Sequence, residues 1–390
     1  MRVAHIITRL IVGGAQENTI ASVLGLRRKP DLDVTLLSGP TTGPEGSLEL
    51  EVAGVPGLHT LVPDLVRPVH PWKDARAFRQ LTRLLRQRQP GIVHTHSGKA
   101  GILGRLAARR AHVPVIVHTI HGPSFGPFQG SLANAAFKTA ERCAGRVTTH
   151  FVSVAEAMSR QYLAAGIGRS AQYTRIFSGF DLQPYLSAQP DPALRHRLGL
   201  APGDFVVGKI ARLFELKGHD DLIDVAPDLA RRCPRIRFLV VGDGAWRGRL
   251  QQRVAALGLT RHFLFTGLVP SAAVPEHLAL MDVLVHLSRR EGLPRALPQA
   301  MATAKAVVAY DCDGAGEVCR ENETGFLLAP GDRVGLADRI LRLERDPELR
   351  DRLGWRGREL TRQWFPVQRM VDELHALYLR LASHPPLGSL

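Results

Sequence analysis

At 390 residues the chain is too long for one ordinary core, and two domains are expected. Its 45% hydrophobic content and mean hydropathy of −0.05 fit a soluble globular protein, and no apolar run is long enough to span a bilayer. A formal net charge of +15 predicts polyanionic neighbours, whereas 6% aromatics with no RNP-like or zinc-finger pattern argue against nucleic-acid recognition.

In chain order, Met1 to Thr8 reads as a short strand that reaches polar residues quickly, without the apolar core and cleavage site of a signal peptide. The expected location is therefore the cytoplasm, with the inner face of the cytoplasmic membrane as the alternative. Further strands read at 34–37, 92–96, 115–120 and 151–154, separated by helical stretches at 15–26, 75–89, 100–111, 132–144 and 155–165. A second block repeats the alternation, with strands at 206–211, 238–241, 263–266, 283–287 and 307–310. Its helices read at 219–231, 246–257, 272–280, 299–304 and 336–344. Such alternation predicts an α/β fold of two doubly wound, Rossmann-like parallel sheets. Residues 1–180 form the first domain in this reading, 181–365 the second, and 366–390 an amphipathic helix packing back on the first. The proline-bearing stretch 181–204, with Pro184, Pro190, Pro192 and Pro202, reads as the linker. Two such halves predict a cleft between them for a ligand.

Cys143, Cys233, Cys312 and Cys319 form no CxxC pair, and no histidines accompany the Cys312/Cys319 pair at zinc-ligand spacing, so free thiols are expected. The stretch from Lys73 to Arg88 is a basic amphipathic helix: either a core-packed helix with a solvated face or an anionic-membrane contact.

Chemistry concentrates at strand ends. Gly13 and Gly14 follow the first strand and precede a helix, letting backbone approach a ligand, with Gln16 one turn on. The pattern is not G-x-G-x-x-G, so a dinucleotide fingerprint is absent. His121 ends the strand at 115–120. A strand delivers Arg212, and Lys217 stands just before the next helix; two cations there suit a diphosphate. Gly242 and Gly244 form another strand-end turn. Last comes Glu291-Gly-Leu-Pro-Arg-Ala-Leu-Pro-Gln299, after the apolar run 283–287. Glu291 and Gln299 can bond hydroxyls, and the helix start attracts anions. By itself this segment fits a polar loop as well as a ligand site.

Together and in this order, these elements resemble the GT-B family of retaining, nucleotide-sugar-dependent glycosyltransferases often called group 1. The resemblance runs from Gly13 to Glu317 and is closest to bacterial members that build polysaccharide or lipid-linked glycans. It implies that Gly13, Gly14 and Gly242 approach the donor, that Gln16 faces the acceptor, and that His121 touches the transferred sugar. It further implies that Arg212 and Lys217 hold the diphosphate and that Glu291 binds the donor sugar. The backbone of Gly292, Leu293, Pro294, Arg295 and Ala296 would lie beside sugar and phosphate. Gln299 stands where the family carries a second glutamate for the ribose hydroxyls; an amide can still accept one hydroxyl and donate to another, without charge assistance. Pro298 suggests that the helix begins near that residue rather than at Pro294.

The implied partners are a UDP- or GDP-type nucleotide sugar and a glycan or lipid-linked acceptor, with no nucleic acid. No cofactor or obligatory metal is implied, and Asp311 and Asp313 read as loop caps rather than a metal motif. Two other readings stand beside this one. A GT-B sugar-nucleotide epimerase would give product without acceptor. A non-catalytic two-lobed solute-binding protein would bind free sugar rather than nucleotide.

Overall fold

Runs of Val, Ile and Leu with both neighbours apolar can be satisfied only by strands covered on both faces, and the chain builds two such sheets. The computed structural model describes residues 1–42, 46–126 and 128–383, so residues 384–390 of the expected closing helix lie outside the described residues. One unit comprises Met1–Phe180 with the segment from Val367 onward; the other comprises Asp181–Pro366.

The first unit runs β1 (Arg2–Ile7), α1 (Gly14–Arg27), β2 (Asp33–Ser38), α2 (Glu49–Ala53), β3 (His59–Leu61) and α3 (Pro71–Arg88). It continues through β4 (Ile92–His96), α4 (Gly98–Arg110), β5 (Val115–Ile120), α5 (Ser131–Gly145), β6 (His150–Ser153), α6 (Glu156–Ala164) and β7 (Tyr173–Arg175). Its parallel sheet has the order β3-β2-β1-β4-β5-β6-β7, so the winding reverses between β1 and β4. One face buries Ala4, Ile6, Val93 and Ile116 against Ala77, Leu81 and Leu85 of α3. The other buries Val3, Ile7, Ile92 and Val117 with Ile20 and Val23 of α1.

The second unit runs α7 (Gln183–Leu186), α8 (Pro192–Arg197), β8 (Phe205–Ile210), α9 (His219–Arg232), β9 (Ile236–Val241), α10 (Arg247–Ala256), β10 (Phe263–Gly267) and α11 (Val274–Ala279). Then follow β11 (Val283–His286), α12 (Ala296–Ala302), β12 (Ala306–Tyr310), α13 (Ala315–Val318), β13 (Gly325–Leu328), α14 (Arg333–Arg345) and α15 (Pro347–Trp364). The sheet order β10-β9-β8-β11-β12-β13 again reverses, here between β8 and β11. The final helix, α16 (Val367–Ser383), belongs to the first unit and adds Met370, Val371, Leu374, Leu377 and Tyr378 to the α1 face of its core.

Two expectations need correcting. The stretch 181–204 is not a bare linker: it carries α7 and α8, and its prolines start helices, since Pro184 and Pro192 occupy first-turn positions where a missing N–H costs no helical bond. For the same reason α12 begins at Ala296 rather than near Pro298, which sits harmlessly in the first turn.

Candidate functional site

Open α/β sheets bind ligands beyond the carboxyl ends of strands where the winding reverses. In the second unit that point lies between the segment after β8 (residues 211–218) and the segment after β11 (residues 287–295). The two are laced together. The Arg289 N–H donates to the Leu216 carbonyl at 2.8 Å, and the Arg289 side chain donates to Asp221 on α9, also at 2.8 Å. Gly218 has φ of 64°, and a Cβ there would lie 2.1 Å from the Leu287 carbonyl, so no other residue fits. Gly242 is constrained alike: its φ is 133°, and a Cβ would meet the Ala211 carbonyl at 2.2 Å. It therefore secures the close approach of the β8 and β9 loops.

This lacing brings Lys217 and Glu291 together as an ion pair between Nζ and Oε1. Nε2 of buried His286, at the end of β11, lies 3.4 Å from the same carboxylate oxygen. Burial alone would push the Glu291 pKa up. The charge of Lys217 and the contact with His286 outweigh it and hold the carboxyl below the usual carboxylate range. Burial keeps His286 low and hence neutral. From behind, the Asp313 carboxylate accepts the Glu291 N–H at 2.7 Å, and Gly292 accepts from the Gly314 N–H at 2.9 Å. Asp313 thus caps the loop, as its sequence context implies.

Other predicted residues are placed differently. Arg212 is exposed, with its guanidinium 5.4 Å from the Phe214 ring centroid, and its carbonyl accepts from His219 Nε2 at 2.9 Å. Leu293, Pro294 and Ala296 are buried around the start of α12, for which Arg295 is the N-cap residue. Gln299 is buried, and its Nε2 donates to the Tyr185 hydroxyl of α7 at 2.8 Å. One half of its amide is therefore already used by the fold.

Two groups here escape the sequence reading. His286 is hidden inside an apolar run, and Lys209, fully buried on β8, has its ammonium pushed down to about 7 by burial and then by the charge of Lys217. The only signal for either was a polar residue within a strand buried on both faces.

In the first unit, α1 starts directly after Gly13, whose φ of 171° is ordinary extended backbone, so that no side chain caps the exposed first turn at Gly14. A Cβ on Gly13 would stand 3.0 Å from Oε1 of Gln16, a flexible group. The uncapped N–H groups of a helix start suit an anion. His121 follows β5 and is partly buried, and burial pushes its pKa down to about 3. Its Nε2 is 3.0 Å from Nδ1 of His96. Among the described residues, His5, His94 and His96 form the one group of three with ligand atoms close enough to converge on an ion, within 4.8 Å of one another. Each of these three rings also makes two hydrogen-bond contacts with protein groups.

Residues 191–360 match the model for glycosyl transferases group 1, and residues 13–176 match the glycosyl transferase 4-like domain. The chain is 30% identical over 316 residues to a Bacillus subtilis protein named as a glycosyltransferase, EpsD, covering 78% of this chain and 81% of that one. It is 26% identical to the Escherichia coli UDP-Gal:alpha-D-GlcNAc-diphosphoundecaprenol alpha-1,3-galactosyltransferase, with 97% of each chain covered. Among solved structures, Anabaena HepE in complex with UDP and glucose superposes with a TM-score of 0.82 at 23% identity, covering 97% of this chain and 99% of that one. That likeness establishes the same fold.

Proposed function

The chain belongs to the group 1 glycosyl transferases, and from that premise we propose that it transfers a sugar from a nucleoside-diphosphate sugar, with retention, to a glycan or lipid-linked glycan acceptor in cell-surface polysaccharide synthesis. The observation that carries this reading is the Lys217–Glu291 pair at the winding reversal of the second sheet. Cleaving the donor creates an electron-poor sugar and a strongly anionic diphosphate. Lys217 is held ready beside that charge, and the exposed guanidinium of Arg212 is available for two-point contact with phosphate. Glu291 is ionised and can only accept hydrogen bonds, which suits a sugar bearing several hydroxyls.

Gly242 allows backbone to approach the donor, and Gly292, Leu293, Pro294, Arg295 and Ala296 flank sugar and phosphate. Gln299, its Nε2 committed to Tyr185, offers its carbonyl oxygen to a ribose hydroxyl. For the first unit, the family resemblance assigns the α1 start at Gly13 and Gly14 to phosphate, Gln16 to the acceptor, and His121 to a hydroxyl of the transferred sugar. No obligatory metal enters this scheme, because the chain's own cations balance the diphosphate. The relative named for a UDP-galactose donor and a diphosphoundecaprenol acceptor supports both substrate classes. A lipid-linked acceptor in turn supports action at the inner membrane face, with α3 as the contact.

Calorimetry tests the donor side. UDP or GDP should bind and free hexoses should not, and Arg212→Ala should weaken nucleotide binding by roughly tenfold or more. Binding of free sugar alone would reject the proposal.

A further inference from the structure

The α1 face of the first sheet carries a continuous file of buried polar rings. His5 on β1, His94 and His96 on β4 and Tyr378 on α16 are all at most 1% exposed. The Tyr378 hydroxyl contacts His94 Nδ1 at 2.5 Å and His5 Nε2 at 3.2 Å. His5 Nδ1 then meets His96 Nε2 at 2.9 Å, and His96 Nδ1 meets His121 Nε2 at 3.0 Å. On the other branch His94 Nε2 meets Thr119 Oγ1 at 2.6 Å. The His5–His96 rings are 13° from parallel with centroids 5.1 Å apart, and the His96–His121 rings 29° with centroids 5.3 Å apart. Those separations match edge-to-edge bonding in the ring planes, not face stacking.

Burial lowers the pKa of all four imidazoles, so each is neutral and carries one N–H and one lone pair. Such a file has only two self-consistent polarities, and choosing the donor at one end fixes every ring to the other. The distances at Tyr378 choose. An O–H donor makes the shorter bond and an N–H donor the longer, so the phenol donates to His94 and accepts from His5 Nε2–H. His5 Nδ1 must then accept from His96 Nε2–H, and His96 Nδ1 from His121 Nε2–H. His121 is left with a bare Nδ1.

We infer that Tyr378 is a positioning residue: through His5 and His96 it fixes His121 as the Nε2–H tautomer, so that its Nδ1 lone pair receives a hydroxyl of the transferred sugar. The second half of this statement rests on the sugar-contact reading of His121; the first half does not.

The test uses the full chain with ¹⁵N-labelled histidine, the His121 signal being assigned by its loss in His121→Ala. The wild type should show His121 protonated at Nε2. Tyr378→Phe should move His121 toward the other tautomer or a mixture and lower kcat by roughly tenfold or more, with little change in the KM for donor. In the His121→Ala background Tyr378→Phe should cost nothing further. An unmoved His121 tautomer would overturn the inference, as would one zinc ion per chain lost on His5→Leu, because metal would occupy the nitrogens the file uses. If His121→Ala leaves turnover intact while the tautomer still moves, the file stands and the sugar-contact reading fails. Should Tyr378→Phe not fold, His5→Leu breaks the file one link closer and gives the same spectroscopic readout.

Discussion

Lys209 sits on β8 with 1% of its surface exposed, and its ammonium is pushed down to about 7, by burial first and by Lys217 next. An unfolded chain keeps that lysine protonated to its ordinary value of 10.5. Between the two values the unfolded state binds the extra proton, so this group makes stability rise with pH across that window and leaves it lowest below about 7. Lys209→Met keeps the apolar stem and removes the penalty. Its melting temperature should exceed the wild type's, with a larger gain at pH 6 than at pH 9; an equal gain at both would contradict a buried titrating amine. Glu291 and Lys217 were each legible from position, yet their pairing across 74 residues has no local signal, because it depends on the loop lacing through Arg289 and Gly218. Gln299 was legible as a departure from the family pattern, but not as the partner of Tyr185, which stands in a stretch read as linker.

Among the elements, α3 packs one face on the core and leaves a basic face exposed. Ala77, Leu81 and Leu85 face the core, while Arg76, Arg79, Arg83 and Arg86 are exposed, and Trp72 beside them is 77% exposed. Among the described residues no helix is long and apolar enough to cross a membrane, so any membrane attachment through this helix would be interfacial. Each arginine near an anionic leaflet contributes about 1 kcal/mol, so removing three should weaken binding roughly a hundredfold. Flotation with phosphatidylglycerol vesicles at moderate salt should recover the wild type, and Arg79→Glu/Arg83→Glu/Arg86→Glu should abolish this. Equal flotation of both would rule α3 out as the contact. β3 and β7 were missed from sequence because three residues are too few for a period-2 pattern to emerge. α15 was obscured by arginines, although Leu349, Leu353 and Leu360 form its buried stripe.

For the whole molecule, strand-helix alternation was enough to predict two parallel sheets, because a strand covered on both faces must be apolar throughout and its crossover must be helical. The loops that carry Gly13, Arg212, Lys217 and Glu291 follow β1, β8 and β11, strands at which the two windings reverse, whereas His121 and Gly242 follow β5 and β9. What sequence could not supply is the histidine file, whose members come from β1, β4, α16 and the residue that follows β5, and meet only in the folded first unit. The net charge of +15 favours the approach of polyanions in general. We propose that the Lys217–Glu291 pair serves a nucleotide-sugar donor. Its most direct test is transfer to a lipid-linked acceptor from a panel of UDP- and GDP-sugars, comparing wild type, Lys217→Ala and Glu291→Gln. The wild type should transfer from at least one donor, and each variant should lose roughly a hundredfold or more; near-native turnover in either variant would contradict a donor role for the pair.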